Sequence, residues 1–264
     1  MERARVGSVE LVSLLDINFN FPVDRVYPQA GPAIDRYRQH LNADGQVPMG
    51  CLCFLLRADG RTVLVDTGMG PESSGQLIAE LRAAGVAPDA VDVVVYTHLH
   101  GDHTGWSIDR GSGKPLFSKA RYLVPQGDWD HYRAQAQARS FERDIAPLEA
   151  AGCMEVVGGD HVIGPSVRTV ATPGHTPGHL SVAVESGGER GFILGDVVLS
   201  AIDTAEPEWQ NTFDGDHEVA RRTRLATLDR LERDGALVGA AHMLPPGLGR
   251  FVRVDGRRTW RAGA

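Results

Sequence analysis

Short apolar runs recur along the chain, each bounded by Gly, Pro or Asp. They are CLCFLL (51–56), TVLVDTG (62–68), VDVVVYT (91–97), ARYLV (120–124), SVRTVAT (166–172), LSVAVES (180–186), GFILGD (191–196) and ALVGAAH (236–242). Their length and β-branched content predict strands. Asp59-Gly60 between the first two predicts a hairpin turn. Apolar residues at helical spacing predict helices over 74–85 and 217–235. The second has Asp216 as N-cap and Gly235 as C-cap, with Val219, Leu225, Leu228 and Leu231 on or near one face. The stretch 126–150 also reads as helix, broken near Pro147. No repeat, low-complexity tract or linker divides the chain. Two packed β-sheets with helices outside are expected.

Composition narrows the function. The 264 residues carry 27 Lys plus Arg against 34 Asp plus Glu, a formal charge of −7. That balance argues against a nucleic-acid partner, which selects for a basic face. No apolar run approaches the roughly 18 residues that span a bilayer, so no membrane partner is expected. The first residues lack the order of a signal peptide, and a cytoplasmic protein is the expectation. Cys51, Cys53 and Cys153 have no paired spacing that suggests a disulfide framework. Cys51 and Cys53 are two apart on an expected strand, share a face and read as core thiols. The ten His residues are unevenly placed, and that is where chemistry concentrates.

The segment THLHGDHTG (97–105) directly follows the run 91–97. His98 and His100 point the same way if the strand continues. Gly101 permits a sharp turn, after which Asp102 and His103 approach from another direction. Such a segment can face two neighbouring metals, and imidazole with carboxylate suits Zn, Mn, Co or Fe. One segment cannot close two sites. Further candidates follow other strands: His175 and His179 in TPGHTPGH (172–179), Asp196 in LGD, and His242 in AAH. Loops above a sheet edge are where sites are commonly built.

These residues resemble the metallo-β-lactamase superfamily, whose pattern is H-x-H-x-D-H followed by a later His, an Asp and a final His. DTG at 66–68 matches its first motif. The resemblance implies an α+β fold, the four-layer αβ/βα sandwich, as one domain over 1–264 with 1–48 as an N-terminal arm. It implies that His98, His100 and His175 hold one metal and that Asp102, His103 and His242 hold the other. Asp196 would bridge both, and Asp66 would orient a ligand, or the loop beneath it, from behind. His179 matches a position that is usually not a ligand, so a structural role in its turn is expected. His40, His131, His161 and His217 are expected at the surface or at caps.

The implied activity is that of a dinuclear metal-dependent hydrolase, with two divalent ions, zinc first. Such sites lower the pKa of bound water from about 15.7 to about 7 and so supply a bridging hydroxide. Asp102 is the expected proton shuttle. The segments PEWQNTFDGD (207–216) and HMLPPGLGRF (242–251) resemble the methyl parathion hydrolase-like and quorum-quenching lactonase-like branch, which cleaves neutral lactones, esters or phosphotriesters. The best-known lactonases carry a Tyr three residues after the bridging Asp, where this chain has Leu199. The rivals are a glyoxalase II-like thioesterase, for which Arg250, Arg253, Arg257 and Arg258 could supply charge, and an iron-dependent oxidoreductase on the same scaffold. The expected substrate pocket comprises Met69, Trp106, Leu199, Trp209 and Phe213, with Phe19 and Phe21 capping it. The branch also suggests a homodimer.

Overall fold

The apolar runs are continuous because their strands are buried on both faces. In β3 (Val47–Ala58), Leu52, Phe54 and Leu56 turn to one core while Cys53 and Leu55 turn to another. The computed structural model describes residues 1–135 and 139–263. The first sheet runs in chain order: β1 (Glu2–Val6), β2 (Val9–Phe21), β3, β4 (Arg61–Val65), β5 (Val93–Val95), β6 (Arg121–Pro125) and β7 (Met154–Val157). The second comprises β8 (Val162–Gly164), β9 (Val167–Ala171), β10 (Leu180–Ser186), β11 (Glu189–Ile193), β12 (Leu237–Gly239), β13 (Leu248–Val254) and β14 (Arg257–Ala262), likewise ordered by sequence.

Val63, Val65, Val93 and Val95 of the first sheet meet Val182, Val184, Ile193 and Leu237 of the second in the inter-sheet core. The outer face of the first sheet packs on Leu77 and Leu81 and on Trp129. The outer face of the second packs on Leu228 and Leu231. The result is the four-layer αβ/βα sandwich.

The helices are α1 (Val23–Val26), α2 (Leu77–Ala83), α3 (Gly101–Thr104), α4 (Gln126–Arg133), α5 (Ala146–Ala150), α6 (Ala201–Ala205) and α7 (His217–Asp234). Within the stretch expected as one helix, residues 136–138 lie outside the described residues. A π-helical turn at Phe141–Ile145 leads into α5, and Pro147 sits in that helix's first turn, where a proline forfeits no hydrogen bond. Asp216 caps α7 by accepting from Glu218 and Val219, and Gly235 ends it at φ 58°. Its inward stripe is Ala220, Arg224, Thr227, Leu228 and Leu231, not the face through Val219 and Leu225, which are only half buried.

Three further expectations are corrected. The strand expected over 91–97 closes at Val95, because the Thr97 N–H turns to the Asp66 carboxylate. The one over 236–242 closes at Gly239, after which the Ala240 N–H bonds to Gly247 O. Residues 2–21, expected within an arm, are strands β1 and β2, and β2 pairs with β3 along most of its length.

Strand direction assembles one working edge. β4 and β5 are parallel, so their C-terminal ends lie together. β9 and β11 are both antiparallel to β10, and β12 is parallel to β11, so these three also end at one edge. Backbone bonds stitch the two edges: Leu180 N–H to Thr97 O at 2.7 Å, Leu52 N–H to Ala241 O at 2.9 Å and Gly50 N–H to His242 O at 3.2 Å.

Asp16 braces this edge from the first sheet. The β2–β3 register shifts between Leu15 and Ile17, and such bulges re-aim a side chain. The buried Asp16 carboxylate accepts from Met69 N at 2.7 Å, Leu77 N at 2.8 Å and the Trp106 indole at 2.9 Å. Gly68 has φ 65°, and a Cβ there would lie 2.5 Å from the Asp16 carboxyl carbon. Asp16→Ala therefore strands three donors, each costing about 1–3 kcal/mol. The expected loss of unfolding free energy is about 3–5 kcal/mol from urea titration. A loss below about 1 kcal/mol would show that Asp16 does not hold this edge.

Candidate metal centre

Each side chain of the centre follows a strand end. Asp66 follows β4 and adopts a left-handed conformation, φ 62°. Its carboxylate accepts from Thr97 N at 2.7 Å and Thr97 Oγ1 at 2.8 Å, and lies 2.8 Å from His103 Nδ1. That fixes the start of the segment 97–105 and one of its rings together. His98 and His100 leave β5, and His100 is the N-cap residue of α3, which carries Asp102 and His103. The buried Asp128 of α4 accepts from Leu99 N at 3.0 Å and Gly178 N at 2.7 Å, tying the two His-bearing loops to each other. Asp196 lies in a 3-10 turn after β11. Gly195 opens that turn at φ 59°, and a Cβ there would lie 2.6 Å from His179 Nε2.

The seven expected ligands converge. His98, His100 and His175 form one group of donor atoms, Asp102, His103 and His242 another, and His98, His103 and Asp196 a third, each within 4.8 Å. Asp196 lies between them. Its Oδ2 is 3.2 Å from His175 Nε2 and 3.1 Å from His242 Nε2, and its Oδ1 is 3.3 Å from His103 Nε2.

Outer partners decide which nitrogen each ring presents. His103 Nδ1 faces Asp66, His242 Nδ1 faces Gly50 O at 2.7 Å, and His175 Nδ1 faces Asp214 at 3.2 Å. Their Nε2 atoms therefore turn inward. His100 Nδ1 stands 3.0 Å from both His98 Nε2 and His175 Nε2. His103 Nε2 and Asp196 Oδ1 are buried without a hydrogen-bond partner. Converging nitrogen lone pairs and an unpaired buried carboxylate oxygen are what a cation would satisfy.

The electrostatics divide the histidines into two kinds. Burial, with His103 beside it, holds His98 well below the ordinary imidazole range, and burial with His175 brings His100 to about 4. Burial opposes charge on His103 and His242, but Asp196 outweighs it and lifts both. Burial likewise opposes the Asp196 anion, and His242, His103, His98 and His175 outweigh it and hold its carboxyl well below the usual range.

A cavity of about 460 Å³ opens onto these side chains, with Phe19, Phe21, Met49, Met69, Leu199 and Phe213 as its apolar wall. Trp106 and Trp209 are not in that wall, which corrects the expectation for both. Trp106 turns its indole N–H to Asp16. Trp209 packs edge-on against Tyr27 and Tyr37, with ring centroids 5.8 Å apart in each pair. His179 is buried and accepts the Asp196 N–H on Nε2 at 2.9 Å, while its Nδ1 meets Thr172 Oγ1 at 2.9 Å. With both nitrogens engaged it has no free lone pair to offer. His131 and His217 are exposed, and His40 and His161 half buried. Asp16, Asp128, Asp214 and Arg224 were not foreseen. Nothing local marks them, since their partners lie ten or more residues away on other elements.

Comparison with known proteins agrees with this geometry. Residues 47–242 match the family described as the metallo-beta-lactamase superfamily. An N-acyl homoserine lactonase of Bacillus cereus is 27% identical over 157 residues, covering 51% of this chain and 58% of that protein. Metallo-beta-lactamase domain-containing protein 1 of Xenopus laevis is 36% identical over 154 residues, covering 55% of this chain and 54% of that protein. The chain thus spans little more than half the length of these curated relatives. Among solved structures, the hydrolase AbOPH of the beta lactamase superfamily superposes with a TM-score of 0.86 at 26% identity, covering 98% of this chain and 95% of that one. AidC, a dizinc quorum-quenching lactonase solved with its product, superposes with a TM-score of 0.86 at 22% identity, covering 100% and 97%, and shares the fold. On the family match, the fold and the ordered His and Asp residues together, the chain belongs to the metallo-β-lactamase superfamily.

Proposed function

We propose that this chain is a dinuclear metal-dependent hydrolase of neutral lactones, esters or phosphotriesters, working as one domain over 1–264 and using zinc in preference to Mn, Co or Fe. The observation that carries this reading is the placement of two metal-donor groups, with Asp196 between them, at the floor of an apolar cavity. Two divalent ions held there would supply an activated water and Lewis-acid polarisation of the scissile group.

The chain's own residues do the rest. His98, His100 and His175 would hold one ion, and Asp102, His103 and His242 the other. The inward nitrogens are fixed beforehand by Asp66, Asp214 and Gly50. Asp102 is partly exposed and lines the cavity, so it is the group proposed to hand a proton to the leaving oxygen. Leu199 offers no hydrogen bond, and no tyrosine lines the cavity among the described residues. The buried Tyr27 phenol is engaged with Ser200 Oγ at 2.8 Å.

Charge supports a neutral substrate over an anionic thioester. No Lys or Arg lines the cavity among the described residues. Arg250 bonds to Gly235 O, while Arg253 and Arg258 pair with Glu232 beside α7. The named activities of AidC and the Bacillus relative, both lactonases, lend the reading further support.

Metal-free protein should take up two equivalents of Zn or Co. At metal about 100-fold above Kd the stabilisation is about 2.7 kcal/mol per ion, so removing both by chelation should lower Tm by about 10–20 °C. One iron per chain with oxygen uptake would overturn the hydrolase reading. His175→Ala and Asp196→Ala should each lose metal and cut kcat/KM by more than the roughly 100-fold upper range for an outer partner. Near-normal kinetics in either would mean that the ligand set is wrong.

Across substrates, lactones, aryl esters and phosphotriesters should turn over in the metal-replete protein, and S-lactoylglutathione poorly. Asp102→Asn should slow alkyl esters about 100-fold more than nitrophenyl esters, because a general acid matters most for a basic leaving group. Equal slowing of both would remove Asp102 from the proton-transfer role.

A further inference from the structure

One buried charged side chain outside the donor set bonds both to the segment behind the cavity wall and to the carboxylate beside His175. Arg224 is 2% exposed on the inward stripe of α7. Its Nε donates to Val197 O at 2.9 Å, and its Nη1 to Trp209 O at 3.0 Å and Pro207 O at 3.3 Å. Its Nη2 donates to Asp214 Oδ2 at 2.5 Å. The other Asp214 oxygen faces His175 Nδ1 at 3.2 Å. A guanidinium directs its donors in a fixed plane, so these four partners share one rigid reference.

The partners have a common consequence. Val197 adjoins Asp196 and lies two residues from Leu199, and Asp214 adjoins Phe213. Leu199 and Phe213 are cavity wall, whereas Asp196 and His175 belong to the proposed metal site. Two backbone bonds run beside this link: Gly215 N–H to His175 O at 3.0 Å and Asp216 N–H to Gly174 O at 2.9 Å.

We infer that Arg224 is a positioning residue that couples the His175 ligand to the wall of the substrate cavity, acting through Asp214 on the ligand and through three backbone carbonyls on the segment 197–214. The inference rests on the dinuclear reading and adds to it a specificity role for a residue that touches neither metal nor substrate. Without the guanidinium, Asp214 becomes a buried carboxylate with no cationic partner and turns its His175 contact accordingly, while three carbonyls lose their donor and the wall loosens.

Metal titration of metal-free protein by calorimetry, with zinc and with cobalt, separates the outcomes. Wild type should bind two equivalents. Arg224→Met should weaken the ion held by His98, His100 and His175 by about 10–100-fold and leave the other within about threefold. Its KM for a neutral aryl ester should rise at least about threefold as the wall shifts. Arg224→Lys keeps a cation for Asp214 but not the planar fork, so it should restore metal affinity while KM stays raised.

Unchanged titration of R224M, or equal weakening of both ions, overturns the inference while the hydrolase reading stands. Failure of wild type to bind metal overturns both. If R224M does not fold, Asp214→Asn decides, because it leaves the guanidinium on its three carbonyls. It should weaken the same single ion with KM unchanged, and a wild-type titration of D214N sinks the proposal.

Discussion

Asp196 is buried, faces the imidazoles of four histidines and has one oxygen without a hydrogen-bond partner. Removing a carboxylate from water costs several kcal/mol unless charge and hydrogen bonds compensate. In this fold the compensation comes from residues of both sheets: His98 and His103 from beyond β5, His175 from beyond β9 and His242 from beyond β12. The anion is therefore stable only when the two sheets are in register at this edge. The inter-sheet bonds from Leu180, Leu52 and Gly50 serve that requirement as much as they serve packing.

Carboxylates recur as the means of holding the edge. Asp66, Asp128, Asp16 and Asp214 each accept from groups distant in sequence, and in three of them a backbone N–H is among the donors. A buried carboxylate that collects several donors fixes loop backbones more sharply than apolar contact does, because hydrogen bonds are directional. Apolar packing sets the sheet spacing, and buried acids set the loops above it. The distinction matters for the histidines, whose inward nitrogen depends on what the outward nitrogen meets.

The convergence of the proposed ligands was legible in the sequence because their segments follow strand ends, and strand ends are marked by the apolar runs themselves. THLHGDHTG carries its geometry locally: alternation, a glycine turn, then two more polar side chains. β2 was not legible, because VELVSLLDINFNF is buried irregularly on both faces and bulges at Asp16. Arg224 was not legible, since one Arg among several in a charged helix carries no mark of its partners in the segment 197–214. Trp106 and Trp209 were placed near the cavity by sequence proximity. Their ring partners, Asp16 for one and Tyr27 with Tyr37 for the other, lie far away in sequence and draw them elsewhere.

Metal donors and cavity wall come from different kinds of structure. The proposed donors lie in the short loops and turns that follow paired strands, whose register fixes where each begins. Phe19 and Phe21 come from the far end of β2, beyond its bulge, and Leu199 and Phe213 from the segment that leaves and returns between β11 and α7. Sequence can vary in those segments without disturbing the strand ends, so one donor set can serve several substrates as the wall is rebuilt. In this chain the separation is incomplete. Leu199 N–H bonds to Asp203 at 2.6 Å, and the same segment is gripped by Arg224, whose partner Asp214 reaches His175. On the proposed reading, a change in the wall that moves Asp214 would be felt at His175, which would tie the choice of substrate to the geometry of the centre.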